Sequence, residues 1–292
     1  MAEIKKVLIT GYTGLLGSDL YKEFSADFDV IGLSRSATTC AKSVCADIVD
    51  KDKIFKITRE VCPDIIIHTA AISNVDNCEL SPELAQHINV KGTENLVLAA
   101  QEVDATFIFI STDYVFDGRK KTPYKEEDQT NPINVYGRTK LSAEELIRSQ
   151  LKNFFIIRTS WLFGEKRKNF VDTVLERAKN EKIIKIVNDK FGNPTYSLDL
   201  SKAILKLLEL NKWGLYNITN QGMCSWFDWA KKILRYAQIN NAKVSGISLG
   251  ELNLAAKRPF MSALDTTKFS DLGVFSLRPW QEALSEYLCS KN

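Results

Sequence analysis

The sequence predicts an α/β fold, with a doubly wound parallel sheet followed by a smaller C-terminal α/β lobe. Three observations carry that prediction. Short β-rich runs alternate with longer helical patterns through the first half of the 292-residue chain. Those runs are apolar throughout instead of at every second position, as in strands covered on both faces. A glycine-rich turn, TGYTGLLG, joins the first run to the first helical pattern.

In chain order the strands read KKVLIT (5–10), DVIGLS (29–34), DIIIHTA (64–70), TFIFIST (106–112) and NFFIIRTS (153–160). Helical patterns fall near 15–26, 50–60, 81–102 and 134–151. After residue 161 the pattern changes. NFVDTVLERAKN reads as a helix, KIVND as a short strand and SLDLSKAILKLLEL as a long amphipathic helix. GLYNIT, the helix SWFDWAKKILRYAQ and a loop-rich tail follow. The chain therefore divides into residues 1–160 and 161–292, with 197–219 a candidate to return to the first sheet. The aromatic SWFDW segment is expected in the core of the second part.

Composition excludes several classes. The 39 basic and 36 acidic residues leave a net charge of only +3, too balanced for a nucleic-acid or membrane-surface partner. The RKK run (Arg119, Lys120, Lys121) reads as a solvated turn. Six cysteines without a CxxC pair, and only two histidines, argue against a metal site. Cysteines in apolar surroundings, as in REVCPDIII, suggest buried thiols in a reducing cytosol. MAEIKKVLIT runs directly into a strand without an apolar signal segment, and no apolar run approaches the ~20 residues that span a bilayer.

Ligands of such sheets bind beyond the carboxyl ends of the strands. Those ends read ITG, LSR, HTAA, ISTDY and RTSW. At the first, Gly11, Thr13, Gly14 and Gly17 form a GxxGxxG turn. Its glycines permit a tight bend and close backbone approach to a pyrophosphate at the positive end of a helix. This predicts a dinucleotide site. At the second, Ser34 and Arg35 stand where an NAD site usually places an acid; a hydroxyl and a guanidinium suit a 2′-phosphate, so NADPH is expected, with NADH as the alternative. Arg35 otherwise reads as a solvated loop residue. Asp47 either accepts from an adenine amino group or caps the helix starting near Asp50.

INVYGRTKLSAEE places Tyr136 and Lys140 on one helical face. A nearby ammonium is expected to lower the phenol pKa, fitting it to protonate a developing oxyanion. A second YxxxK, Tyr287 and Lys291, lies at the C-terminus, where fraying is expected. Thr112 sits at a strand end 24 residues before Tyr136 and is a candidate partner for the same carbonyl.

These residues resemble the extended short-chain dehydrogenase/reductases, and within them the dTDP-4-dehydrorhamnose reductases. The resemblance rests on TGYTGLLG, PDIIIHTAAISNVDNCE, NVKGTENL, ISTDYVFDG, NPINVYGRTKLSAEE, RTSWLFG, VNDKFGNPT, WGLYNIT and KRPFMSALDTTKF. It implies a Rossmann-like NAD(P) domain over 1–160, a mainly substrate-binding lobe over 161–292, and a catalytic set of Thr112, Tyr136 and Lys140, the last also holding the nicotinamide ribose. It implies cofactor contacts at Gly14, Leu15 and Leu16, at Ser34, Asp47 and Ile48, and at Ala71, Ile72 and Ser73. Val75, Asp113, Tyr114 and Trp161 match a sugar pocket, and Arg258 a pyrophosphate partner for a nucleotide-sugar.

Three departures limit the resemblance. His68 and Thr69 stand where relatives commonly have Asn and Ala; His68 reads as a buried strand-end residue. Ser34 and Arg35 replace an acid found in some relatives. No acidic cluster matches the magnesium-binding glutamates of others, so no metal is expected, and a homodimer stays open. The leading expectation is NADPH-dependent reduction of the C4 ketone of a dTDP-linked 4-keto-6-deoxy sugar. Alternatives are a GDP-linked ketosugar, or a non-catalytic NADP-binding subunit resembling that of methionine adenosyltransferase. Dehydratase or epimerase chemistry is disfavoured because Tyr114 stands where a second carboxylate would be needed.

Overall fold

The structure is a computed structural model that describes residues 4–36, 42–273 and 276–291. Its elements run β1 (Lys6–Thr10), α1 (Leu15–Phe24), β2 (Asp29–Ser34), β3 (Ser43–Cys45), α2 (Lys51–Val61) and β4 (Ile65–His68). Next come α3 (Val75–Leu80), α4 (Pro82–Gln86), α5 (Gly92–Glu102), β5 (Thr106–Thr112), α6 (Val135–Gln150) and β6 (Phe154–Thr159). Then follow β7 (Leu162–Phe163), α7 (Phe170–Asn180), β8 (Ile183–Val187), β9 (Phe191–Gly192), β10 (Thr195–Tyr196), α8 (Ser197–Glu209) and β11 (Gly214–Asn217). The last are β12 (Cys224–Ser225), α9 (Trp226–Tyr236), β13 (Lys243–Ile247), α10 (Thr267–Ser270) and α11 (Trp280–Cys289).

Seven strands form one sheet in the order β11–β6–β5–β4–β1–β2–β3, with every ladder parallel. Successive residues of a strand face opposite sides, and here both sides are covered. Val7 and Ile9 pack on the face that carries α1 and α8, while Leu8, Phe107 and Phe109 pack on the opposite face. That is why the strands read as unbroken apolar runs. Each such side chain fully buried contributes roughly 1.5–3 kcal/mol. Strand order reverses between β1 and β4, and chains leaving these two strands diverge, opening a crevice at their carboxyl ends.

Segment 214–217 closes one edge of this sheet by pairing with β6. A separate apolar cluster joins Phe163, Trp229, Trp280 and Tyr287 from the second half, and Trp229 is 1% exposed, so the SWFDW segment does supply core.

Several expectations are corrected. The helix expected over 81–102 runs without interruption from Pro82 to Glu102, but it changes pitch at a π-helical turn, His87–Lys91, between α4 and α5. The tail carries α11, whose buried Trp280, Ala283, Leu284, Tyr287 and Leu288 follow helical spacing. Tyr287 is therefore not frayed; its hydroxyl donates to the Gly164 carbonyl at 2.9 Å, and Lys291 pairs with Asp172. Cys62 is exposed, because it ends α2 in a left-handed turn (φ 48°) that swings the chain into β4; Cys45 and Cys289 are exposed too, while Cys78 and Cys224 are buried. Cys40 lies outside the described residues. Among the described residues no helix is long and apolar enough to cross a membrane.

Candidate active site

A cleft of about 730 Å³ runs from the glycine turn, past the end of β4, to the end of β5. At one end Gly11 adopts φ +70°, and a Cβ there would meet Thr69 Oγ1 at 2.8 Å and the Ala70 nitrogen at 2.9 Å. A Cβ on Gly17 would come within 2.2 Å of the Gly11 carbonyl oxygen. The turn thus demands glycine for backbone conformation at one position and for close packing at the other. Gly14 begins α1 without a side-chain cap, so the first-turn N–H groups of a ten-residue helix face the cleft beside Thr13, Leu15 and Leu16. This cradle fits the pyrophosphate of a dinucleotide.

Ser34 and Arg35 line the next part of the cleft, with Asp47 and Ile48 opposite. Ser34 Oγ donates to the Ser36 carbonyl at 2.7 Å. Asp50, not Asp47, caps α2 by accepting from the Lys53 nitrogen at 3.1 Å; Asp47 accepts from the Val49 nitrogen at 3.2 Å and lines the cleft. Ala71, Ile72 and Ser73 form its middle. The π-turn explains their fixed course, since Asn89 grips Ile72 at both backbone groups (2.8 and 3.1 Å) and reaches Thr139 on α6 at 3.1 Å. His68 lies beneath, buried between Thr10 (2.8 Å) and Thr93 (3.0 Å), and burial holds its imidazole well below its usual pKa. It is a neutral strand-end residue, as expected.

Thr112, Asp113 and Tyr114 meet Tyr136 at the far end. Asn134 caps α6 by accepting from the Gly137 nitrogen at 2.8 Å. A Cβ on Gly137 would lie 2.1 Å from the Tyr114 carbonyl oxygen, so this glycine lets the helix start directly against the end of β5. The phenol of Tyr136 is thereby brought to the end of the cleft that Thr112 lines, near enough for the Thr112 hydroxyl to act on its ionisation. Thr112 Oγ1 in turn donates to Asp113 Oδ1 at 3.0 Å.

Two expectations change here. Burial pushes the Tyr136 phenol above its ordinary value, opposed by the nearby Thr112 hydroxyl; the ammonium does not lower it. Lys140 is buried, does not line the cleft, and sets its Nζ 3.8 Å from the centroid of the Phe109 ring. Burial lowers its pKa to about 7, with Glu144 opposing. The aromatic face, not the phenol, receives the ammonium.

Val75 and Trp161 line the same end of the cleft. Trp161 adopts φ 44° and stacks on Trp229 at 5.7 Å; Gly192 makes room, as a Cβ there would approach the indole to 2.5 Å. Arg258 stands outside the cleft lining, its guanidinium paired two-fold with Asp76 (2.7 and 2.6 Å). Sequence reasoning overlooked Arg167, Lys168 and Asn169, which line the cleft from the second half; Arg167 Nε reaches the Thr13 carbonyl at 3.3 Å. The basic run in GEKRKNF was the available signal. Lys190 and Glu144, both buried, were also missed. Among the described residues no group of three or more His, Cys, Asp or Glu is arranged to hold a metal.

Comparison with known proteins agrees along the whole chain. The family model described as RmlD substrate binding domain matches residues 5–292. The dTDP-4-dehydrorhamnose reductase of Aggregatibacter actinomycetemcomitans is 37% identical over 96% of this chain and 97% of its own. The spore coat polysaccharide biosynthesis protein SpsK of Bacillus subtilis is 36% identical over 97% and 96%. The solved dTDP-4-dehydrorhamnose reductase of Bacillus anthracis, a complex with NADP, superposes with a TM-score of 0.93 at 35% identity, covering 99% of this chain and 100% of that one.

Proposed function

Because the chain belongs to the dTDP-4-dehydrorhamnose reductase family, we propose that it is the NADPH-dependent reductase of dTDP-4-dehydro-L-rhamnose, forming dTDP-L-rhamnose. The observation that carries this reading is the convergence of Tyr136 and Thr112 in one cleft continuous with the glycine cradle.

Bound NADPH supplies the hydride that adds to C4 of the sugar. The turn at Gly11, Gly14 and Gly17 would hold its pyrophosphate, Arg35 its 2′-phosphate and Lys140, once released from the Phe109 face, its nicotinamide ribose. Thr112, its hydroxyl turned from Asp113 to the substrate, orients the ketone oxygen, and Tyr136 donates its proton to that oxygen, so that C=O becomes CH–OH and a phenolate remains. Burial keeps the phenol protonated before the reaction, and Lys140 would stabilise the phenolate after its ammonium leaves the Phe109 face. Val75, Asp113, Tyr114 and Trp161 enclose the sugar. Residues 161–292 mainly bind substrate, with Arg258 toward its pyrophosphate after release from Asp76. No second carboxylate follows Asp113, which favours reduction over elimination. The reaction belongs in the cytosol.

The test is a spectrophotometric panel of dTDP- and GDP-linked 4-ketosugars against NADPH and NADH. Oxidation of NADPH by the dTDP substrate is expected. Turnover of only a GDP-linked sugar would overturn the nucleobase. NADP binding without turnover of any ketosugar would overturn the reductase reading in favour of a non-catalytic subunit.

A further inference from the structure

Lys190 has no part in the chemistry above, yet it is 0% exposed. Its ammonium makes only two long hydrogen bonds, to the Pro259 carbonyl at 3.2 Å and to Ser262 Oγ at 3.4 Å. Three rings cage it: Tyr114 at 5.0 Å, Trp161 at 5.3 Å and Trp226 at 5.4 Å from Nζ to centroid. Burying a charge is costly unless a countercharge lies close. Asp113, 3% exposed, is near enough to act on Lys190 electrostatically without forming an ion pair, and Ser262, which bonds Lys190, acts on Asp113 too. Asp113 Oδ1 accepts from Thr112, and its Oδ2 is buried without a geometric hydrogen-bond partner.

We propose that Lys190 is a positioning residue of the sugar pocket, whose caged ammonium keeps Asp113 ionised, so that Oδ2 stays an acceptor for a sugar hydroxyl. The inference rests on the ketosugar reading for the identity of the ligand, but the electrostatic coupling of Lys190 to Asp113 does not. Tyr114 and Trp161 both line the cleft and cage Lys190, so one cation bears on both the charge and the walls of the pocket. The aromatic faces attract the ammonium without offering it a competing anion. Burial raises the Asp113 pKa and Lys190 opposes that rise; burial lowers the Lys190 pKa to about 8 and Asp113 opposes that fall. The other titratable groups facing the pair are Tyr114, Tyr136 and Arg258, the last held by Asp76. Without the ammonium, a buried Asp113 would take up a proton and donate where it should accept.

The test is infrared difference spectroscopy of the full chain against Asp113→Asn, which reads the Asp113 carboxyl without turnover. At pH 7 an ionised carboxylate band is expected in the parent, replaced by a carboxylic-acid band in Lys190→Met and retained in Lys190→Arg. With the dTDP ketosugar, Lys190→Met should raise KM about tenfold, the equivalent of one pKa unit, and move the acidic limb of kcat/KM to higher pH. Its Kd for NADPH should be unchanged. A protonated Asp113 in the parent would overturn the proposal even if no Lys190 variant folds, and so would a carboxylate band surviving in Lys190→Met. A parent that shows the carboxylate band but no ketosugar turnover would sink the substrate reading alone.

Discussion

Glu144 and Arg158 form a two-pronged ion pair in the protein interior, with Nε to Oε1 at 2.9 Å, Nη2 to Oε2 at 2.7 Å, and side chains 0% and 1% exposed. Ser111 Oγ adds a third bond, to Oε1 at 2.6 Å. The pair ties α6 to β6 and to the residue before Thr112, one helical turn beyond Lys140. It therefore fixes the rotation of the helix that presents Tyr136. Removing one member of a buried pair leaves the other charge uncompensated, at a cost of about 3–5 kcal/mol. Glu144→Gln should lose that much stability in urea unfolding; a loss below ~1 kcal/mol would mean that Arg158 finds another partner.

Tyr136→Phe tests the proposed proton donor. It removes one oxygen at the end of the cleft and leaves the glycine cradle untouched. Turnover should fall ~100-fold or more, with NADPH affinity largely intact by fluorescence titration. Unimpaired turnover would remove the phenol from the chemistry.

Arg35→Ala tests cofactor choice. The guanidinium lines the cleft beside Ser34, where a 2′-phosphate would sit. Affinity for NADPH should fall more than affinity for NADH, because only the former carries that phosphate. Equal losses would show that Arg35 does not read it.

The pH dependence of stability follows from two buried lysines. Burial lowers the pKa of Lys140 to about 7 and of Lys190 to about 8, against an ordinary value of 10.5. Between those values and about pH 10 the unfolded chain holds protons that the folded chain has released, so stability rises with pH across that window. Below about pH 7 both states are protonated and these groups add no slope. Above pH 10 the raised phenols of Tyr114 and Tyr136 reverse the sign, since they stay protonated only when folded. The Tm of the cofactor-free protein should therefore climb from pH 7 to 10, and Lys140→Met should flatten the climb. An unchanged slope in that variant would show that Lys140 keeps an ordinary pKa.

Most of the sheet was legible because its signals are local. An apolar run such as TFIFI needs no partner to be recognised as a strand covered on both faces, and β2 and β5 match their expected bounds of 29–34 and 106–112. The π turn at His87–Lys91 was not legible, since it lies within a continuous helical pattern and serves a distant loop through Asn89. Nor was α11, whose apolar spacing was passed over in favour of an expected loop-rich tail.

By itself the sequence determined the order of strands and helices, the glycine turn, and the residues that collect at the strand ends. Those follow from steric limits and side-chain period, which act over a few residues. Only the tertiary structure decided where charge resides. It set Lys140 against Phe109 instead of against the phenol, closed Arg258 on Asp76, and buried Lys190 beside Asp113. The energy of a charge depends on the whole low-dielectric surround, and residues far apart in the chain supply that surround.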